Sequence, residues 1–355
     1  VRCGEGGLMS IPVFYAPQQE RHDPRTFIFR GQVTQSPEQA ERARVFLKAA
    51  KAAGHDVRAP EDRGEAPIRA IHDAGYVDFL KSAHADWSAL PNASAEITPN
   101  VHPSRHMADT RGISAKASIV SRVGYYTTDT ACPIGAGTWE GVYWSAQTAL
   151  AAASHVEAGA SAAYALCRPP GHHAYHDLSG GFCFLNNSAI AAQALLAKFG
   201  RVAILDVDVH HGNGTQGIFY GRDDVLTVSL HGDPTSFYPW YTGFDDERGE
   251  GIGTGCNLNI PLPQGTGDDA YLEALEPALA AIRAFQPGAL VVALGLDASE
   301  ADPLRFFHIT TPGFGRIASA IAGLGLPSVL VQEGGYPSDI LGDNLASFLK
   351  GFAER

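Results

Sequence analysis

The chain repeatedly carries short apolar runs of four to seven residues, at 162–167, 202–205, 225–230, 290–296 and 328–332. A strand with one wet face alternates polar and apolar residues, so unbroken runs of this length predict strands buried on both faces of a parallel sheet. Apolar residues at helical spacing over 38–53, 138–153, 189–199, 268–285, 313–324 and 341–352 predict the covering helices. The class is α/β. A doubly wound sheet and a barrel both satisfy this pattern. The stretches 98–137 and 232–259 predict long loops, and structureless segments beyond ~12–15 residues are usually lids or binding loops. No repeat or interdomain linker interrupts the pattern, so one domain over residues 1–355 is expected.

With 355 residues, 45% of them hydrophobic and 18% charged, the chain can bury a sizeable core. Lys plus Arg is 26 and Asp plus Glu is 38, a net charge of −12 that argues against a nucleic-acid partner; an acidic surface would favour cationic substrates, but it is above all the ordinary condition of a soluble bacterial-type enzyme. Cys3, Cys132, Cys167, Cys183 and Cys256 are odd in number, widely spaced and without a CxxC, so neither a disulfide framework nor a thiolate zinc site is expected. Residues 1–10 lack a signal-peptide pattern, and the longest apolar run, near 289–296, falls far short of the ~18 residues of a membrane span. A cytoplasmic protein with no membrane partner is the expectation.

Six of the fourteen histidines lie between residues 172 and 231. Open α/β sheets place their ligand sites at strand ends, which is where these histidines fall. In 206–210, Asp-Val-Asp-Val-His, an extended chain would turn Asp206, Asp208 and His210 to one face and Val207 and Val209 to the other. Two carboxylates and an imidazole converging at a buried strand end call for a cation, and oxygen and nitrogen ligands suit Zn²⁺ or another divalent transition metal. A second buried strand stops at Asp297, which would complete a three-ligand site. A third runs into Arg168-Pro169-Pro170-Gly171-His172-His173, where the prolines stiffen the turn and His172 and His173 become candidate proton-transfer groups. A fourth ends in Glu333-Gly334-Gly335-Tyr336, setting a phenol over the site as a candidate oxyanion donor.

RPPGHH at 168–173, GGFCFLNN at 180–187, DVDVHHGNGTQ at 206–216, SLHGDP at 229–234, Gly295-Leu296-Asp297 and EGGY at 333–336 resemble the arginase–deacetylase superfamily, specifically its histone-deacetylase branch. Within that branch the chain is most similar to the bacterial acetylpolyamine amidohydrolases. His72-Asp73-Ala74-Gly75-Tyr76 and Gly137-Thr138-Trp139-Glu140 extend the resemblance to roughly residues 10–355. It implies a three-layer α/β/α sandwich around a mostly parallel eight-stranded sheet.

The resemblance also implies roles. Asp208, His210 and Asp297 bind Zn²⁺, and water activated there attacks an acetamide carbonyl. His173 is the principal general base and acid, His172 steadies charge with Asp206 hydrogen-bonded to it, and Tyr336 completes the oxyanion site. Asn213 occupies the position of a carboxylate that pairs with the second histidine in some relatives, which predicts that His173 favours its neutral form. K⁺ is implied near the zinc, held by Asp206, the backbone of Asp208 and His210, and Ser229 with Leu230. Phe182 and Tyr238 match an aromatic pair lining the acyl channel, with Gly181 as a further substrate-binding position. The 98–137 loop resembles an insertion that narrows the site mouth and supports a homodimer. Its acidic positions in relatives correspond here to Val120 and Ala131, which leaves Asp129 and Glu140 as the nearby acids. The implied activity is hydrolysis of N-acetylated polyamines or similar small cationic amides. A protein-lysine deacetylase is the nearest alternative, and a catalytically silent acetyl-ligand binder a more distant one.

Overall fold

The computed structural model describes residues 10–354 except 105, 108–111 and 115. Cys3 and nearly all of the 1–10 stretch lie outside the described residues. The strands are β1 (Val13–Phe14), β2 (Thr26–Phe29), β3 (Gln32–Gln35), β4 (Val57–Arg58), β5 (Ala162–Ala165), β6 (Val202–Asp206), β7 (Val225–Gly232), β8 (Asn257–Leu262), β9 (Ala289–Leu294) and β10 (Ser328–Gln332). The α-helices are α1 (Ala40–Ala52), α2 (Ala66–Arg69), α3 (Ala74–Ser88), α4 (Ile119–Tyr125), α5 (Thr138–Glu157), α6 (Asn187–Phe199), α7 (Asn213–Phe219), α8 (Asp268–Phe285), α9 (Thr311–Ala322) and α10 (Leu341–Ala353).

Eight strands form one sheet in the order β4-β1-β5-β10-β9-β6-β7-β8, while β2 and β3 make a separate hairpin. Every pairing in the large sheet is parallel, so the expectation of a mostly parallel sheet is met in full. The open strand order removes the barrel.

Alternate residues of each central strand enter opposite cores. On one side Leu205, Leu290 and Val292 pack with Phe46 of α1, Leu275 of α8, Ile317 of α9 and Phe348 of α10. On the other, Ile204, Ala289 and Val291 pack with Phe79 of α3, Ala149 of α5, Ile190 of α6 and Phe219 of α7. Right-handed crossovers explain this partition. Connections stepping across the sheet toward β7 use the second face, and those stepping back toward β10 use the first. The outer strands β5 and β6 are therefore followed by helices on one face, and the inner strands β10 and β9 by helices on the other. Chains leaving neighbouring strand ends in opposite directions open a crevice there. The segments carrying His172 and His173, Asp208 and His210, Asp297, and Tyr336 follow those four ends.

Local signals set the helix boundaries. Asn186 caps α6 by accepting the Ala189 N–H at 2.9 Å, and Gly200, at φ +71°, ends it. Thr310 caps α9 by accepting the Gly313 N–H at 3.1 Å.

The two long loops are less bare than expected. Within 98–137 lies α4, whose cap Ser118 accepts the Ser121 N–H at 3.3 Å, and Ile97 and Ile134 exchange both backbone hydrogen bonds to close the segment at its base. Residues 232–259 give up Gly232 to β7 and their last three residues to β8, and contain a 3₁₀ turn at Gly251–Gly253. A seven-residue helix is too short to display a period, and β8 alternates Asn with apolar residues at the sheet edge, unlike the buried runs that marked the other strands.

Candidate active site

Strand β6 stops at Asp206, which corrects the extended reading of 206–210. Two short side chains fold the backbone instead: Asp206 Oδ1 accepts the Asp208 N–H at 3.0 Å, and Asp208 Oδ1 accepts the His210 N–H at 2.9 Å. Asp and Asn favour such turns because their carboxylates or amides reach the backbone two residues on. Long-range bonds stitch this turn to its neighbours, with Asp208 Oδ2 accepting the Gly334 N–H at 2.8 Å and Asp297 Oδ1 accepting the Val209 N–H at 3.1 Å.

His210 Nδ1 consequently lies 3.1 Å from Asp208 Oδ1 and 3.2 Å from Asp297 Oδ2. One ligand atom from each of the three residues falls within 4.8 Å of the others. Both carboxylates are wholly buried, and Asp297 Oδ2 accepts no hydrogen bond. A buried anionic oxygen without a donor is costly, and a cation is what satisfies it. Burial opposes charge on His210, yet Asp208 and Asp297 outweigh it and push its pKa up to about 9. Burial and the neighbouring Asp208 together raise that of Asp297. Positive charge is thus in demand at this point. Two oxygens and one nitrogen, with no thiolate, fit a divalent transition metal.

The tandem histidines sit beside this group. His172 Nδ1 donates to Asp206 Oδ2 at 2.9 Å; burial disfavours its imidazolium, but Asp208 and Asp206 overcome this and raise its pKa to about 10. His173 Nδ1 donates to Asn213 Oδ1 at 2.6 Å, and burial, reinforced by repulsion from His172 and His210, holds its pKa well below the usual value. With Nδ1 engaged, Nε2 is the basic nitrogen of His173. Asn213 is itself oriented, its Nδ2 donating to Tyr175 Oη at 3.2 Å.

Tyr336 is held by its backbone, whose N–H donates to Asp302 Oδ2 at 2.7 Å, and by the Arg42 guanidinium 4.6 Å from its ring centroid. Burial raises the phenol's pKa well above its usual value despite Arg42, so it remains a proton donor. Phe182 lies edge-on to Tyr336 with centroids 5.7 Å apart, and Tyr238 edge-on to His173 at 4.9 Å. Gly181 has φ +53°, and a Cβ there would run into the His173 ring. Asp129, from the inserted segment, ties this wall together: its Oδ2 accepts the Tyr238 hydroxyl at 2.7 Å and the Gly181 N–H at 3.0 Å. Glu140 instead pairs with Arg21 at 3.3 Å on the surface.

Not all of the histidine cluster converges. His176 is exposed beside Asp177, while His211 and His231 form a separate buried pair with centroids 4.5 Å apart. Ser229 stands opposite Asp206 in the β6–β7 register, its Oγ 2.8 Å from His231 Nδ1, and Leu230 is buried next to it. Sequence reasoning missed a buried ionic brace in which Arg42 Nη1 and Arg168 Nη2 donate to the two Glu38 oxygens at 2.7 and 2.9 Å. Arg42 also donates to the Gly335 carbonyl at 2.6 Å and the Glu333 carbonyl at 2.5 Å, fixing the turn that carries Tyr336. The only sequence signal was a Glu and an Arg four residues apart at the start of an otherwise apolar helix face.

Residues 35–352 match the histone deacetylase domain. The chain is 50% identical over 340 residues to an acetylpolyamine amidohydrolase of Burkholderia pseudomallei, covering 96% of this chain and 98% of that one. It is 45% identical to acetylpolyamine amidohydrolase 1 of Pseudomonas aeruginosa, covering 95% and 97%. The crystal structure of the acetylpolyamine aminohydrolase from Burkholderia pseudomallei superimposes with a TM-score of 0.93 at 48% identity, covering 97% of this chain and 99% of that one. The parallel order of the sheet, the buried Asp208–His210–Asp297 group and this full-length similarity agree, and the chain belongs to the histone deacetylase family, in its acetylpolyamine amidohydrolase branch.

Proposed function

We propose that this chain is a zinc-dependent amidohydrolase that releases acetate from N-acetylated polyamines and related small cationic amides. The observation that carries this reading is the burial of Asp208, His210 and Asp297 beside two histidines whose protonation is driven in opposite directions. Relatives that match nearly the whole chain are named acetylpolyamine amidohydrolases, which supports the polyamine part of this reading.

Asp208, His210 and Asp297 would hold the zinc. When bound, zinc supplies a Lewis acid for the acetamide carbonyl and lowers the pKa of water. His173, neutral in its surroundings, takes the proton of the attacking water at Nε2 and returns it to the departing amine. His172, kept cationic by Asp208 and Asp206, steadies the negative charge that develops. The Tyr336 phenol donates to the oxyanion. Phe182, Tyr238 and Gly181 wall the channel through which the substrate chain enters.

Asp206, Ser229 and Leu230, with the carbonyls of Asp208 and His210, would hold K⁺ behind the zinc; the β6–β7 register that sets Ser229 opposite Asp206 supports this. We further read residues 1–355 as one catalytic domain, cytoplasmic, and homodimeric through the 98–137 segment. Among the described residues no helix is long and apolar enough to cross a membrane.

The test is a turnover panel. Zinc-loaded protein is expected to release acetate from N-acetylputrescine, and chelated protein to release none until zinc is restored. Faster turnover of acetyl-lysine peptides than of every acetylated polyamine would replace this reading with a peptide deacetylase. Zinc-replete protein inert toward every acetamide would leave a binding protein.

A further inference from the structure

The turn that carries His172 and His173 belongs to no helix or strand, so its backbone hydrogen bonds must be found elsewhere. The His172 carbonyl accepts the Thr215 N–H at 3.1 Å, and the Ala174 carbonyl accepts Asn186 Nδ2 at 3.0 Å. The N–H groups of Gly171 and His172 point together at one oxygen, Glu333 Oε2, at 2.5 and 3.0 Å. Successive N–H groups converging in this way make an anion-binding concavity. The other oxygen, Oε1, accepts the Ser188 hydroxyl at 2.7 Å, in the first turn of α6. Glu333 is wholly buried, and the guanidinium nearest to it, Arg42, binds its backbone carbonyl rather than its carboxylate.

A buried carboxylate without an arginine or lysine partner is uncommon and expensive. Here it spans from the end of β10 to the loop after β5, and so links the segment bearing Tyr336 to the one bearing the tandem histidines. Burial raises its pKa to about 7, with Asp206 adding to the rise and His172, the Ser188 hydroxyl and the Gly171 N–H acting against it. Gly171 leaves the turn no slack, because a Cβ there would strike the Asn187 N–H and the Leu185 carbonyl.

We infer that Glu333 is a positioning residue for the reaction: its carboxylate sets the backbone of Gly171 and His172, and through it the placement of both imidazoles relative to Asp208, His210 and Asp297. This inference rests on the amidohydrolase reading above. The hydrogen bonds of the Glu333 carboxylate run to Gly171, His172 and Ser188 and to none of Asp208, His210 and Asp297, so it acts on the rate through the histidines.

The experiment compares wild type with Glu333→Gln, Glu333→Asp and Glu333→Ala, all zinc-loaded, on N-acetylputrescine. It reads kcat, KM, zinc content, thermal midpoint and the ¹⁵N shifts of the His172 and His173 rings. Gln keeps an oxygen for the two N–H groups and an amide for Ser188, so it is expected to fold, to lose about tenfold in kcat with KM within twofold, and to shift both histidine signals at full zinc content. Ala leaves both N–H groups unmet and is expected to lose about a hundredfold or more. Unchanged kcat and histidine shifts in Glu333→Gln would overturn the inference. So would a loss of kcat that merely tracks lost zinc or lost folded protein, or one matched by a rise in KM. Wild type inactive on every acetamide would instead defeat the functional reading, and the ¹⁵N shifts would still report whether Glu333 places the histidines.

Discussion

The imidazole rings of His172 and His173 lie with centroids 4.0 Å apart, inclined at 44°, and their Nδ1 atoms face different acceptors, the Asp206 carboxylate and the Asn213 amide. Two adjacent residues of one type are driven to opposite protonation states: Asp208 and Asp206 raise the pKa of His172 against its burial, while burial and repulsion from His172 and His210 lower that of His173. That division suits a site needing both a base and a fixed positive charge.

Asn213→Asp tests it. A carboxylate at the position now 2.6 Å from His173 Nδ1 stabilises the imidazolium, so the His173 pKa rises. In the proposed mechanism His173 is a base only when neutral, so the acidic limb of kcat/KM is expected to move to higher pH, by about one unit. The pH–rate profile measures this; an unmoved limb would count against His173 as the base.

Tyr336→Phe removes the phenol while keeping the ring between Arg42 and Phe182. Turnover is expected to fall about 10²–10³-fold, the usual cost of one oxyanion donor. Zinc content by metal analysis is expected to match wild type, because no Tyr336 atom belongs to the ligand group.

Gly181→Ala combines a left-handed backbone at φ +53° with a methyl group driven against His173. The backbone alone is expected to cost about 1–3 kcal/mol of stability, read from urea unfolding. Displacement of His173 is expected to lower kcat by at least about tenfold. Stability lost with kcat intact would place the His173 ring away from the chemistry.

His22 and His72 predict a dependence of stability on pH that does not involve the metal. Burial lowers the pKa of His22 to about 3, with Arg168 adding to the effect and Glu38 opposing it, and burial lowers that of His72 to about 4. Their contribution is fully present above the unfolded value near 6.5. It is lost as pH falls from there toward 4, because only the unfolded chain takes up the protons. Two protons give about 2–3 kcal/mol per pH unit, so the urea midpoint at pH 5 is expected well below that at pH 7. A variant replacing His72 with a neutral residue should lower the slope by the share of one proton, about 1.4 kcal/mol per pH unit.

The fold was readable where burial left a one-dimensional trace. The strand at 328–332 and the helix at 268–285 coincide with their predicted spans, because a strand buried on both faces has no reason to carry polar residues. The two-residue strands β1 and β4 left no such trace, and neither did the exposed β2–β3 hairpin. At the site, Asp208 and His210 were legible because a single residue separates them, and Asp297 because it terminates a buried run. Asp129 was named only as a nearby acid, Glu333 only within a motif, and Arg42 carried only its spacing from Glu38; what they do was not read, since the bonds that set it reach residues more than 50 positions away.

The amino-acid sequence alone settled the α/β class, the strand ends at which chemistry gathers and the residue types available there, because period, turn chemistry and burial are properties of neighbours along a chain. Only the tertiary structure decided that β5, β10, β9 and β6 stand side by side with their connections leaving to opposite faces, that Asp297 Oδ2 is left without a donor, and that Glu333 holds the turn before the tandem histidines. Those outcomes depend on contacts between distant segments, whose closure is fixed by the packing of two cores against one sheet and by no local preference.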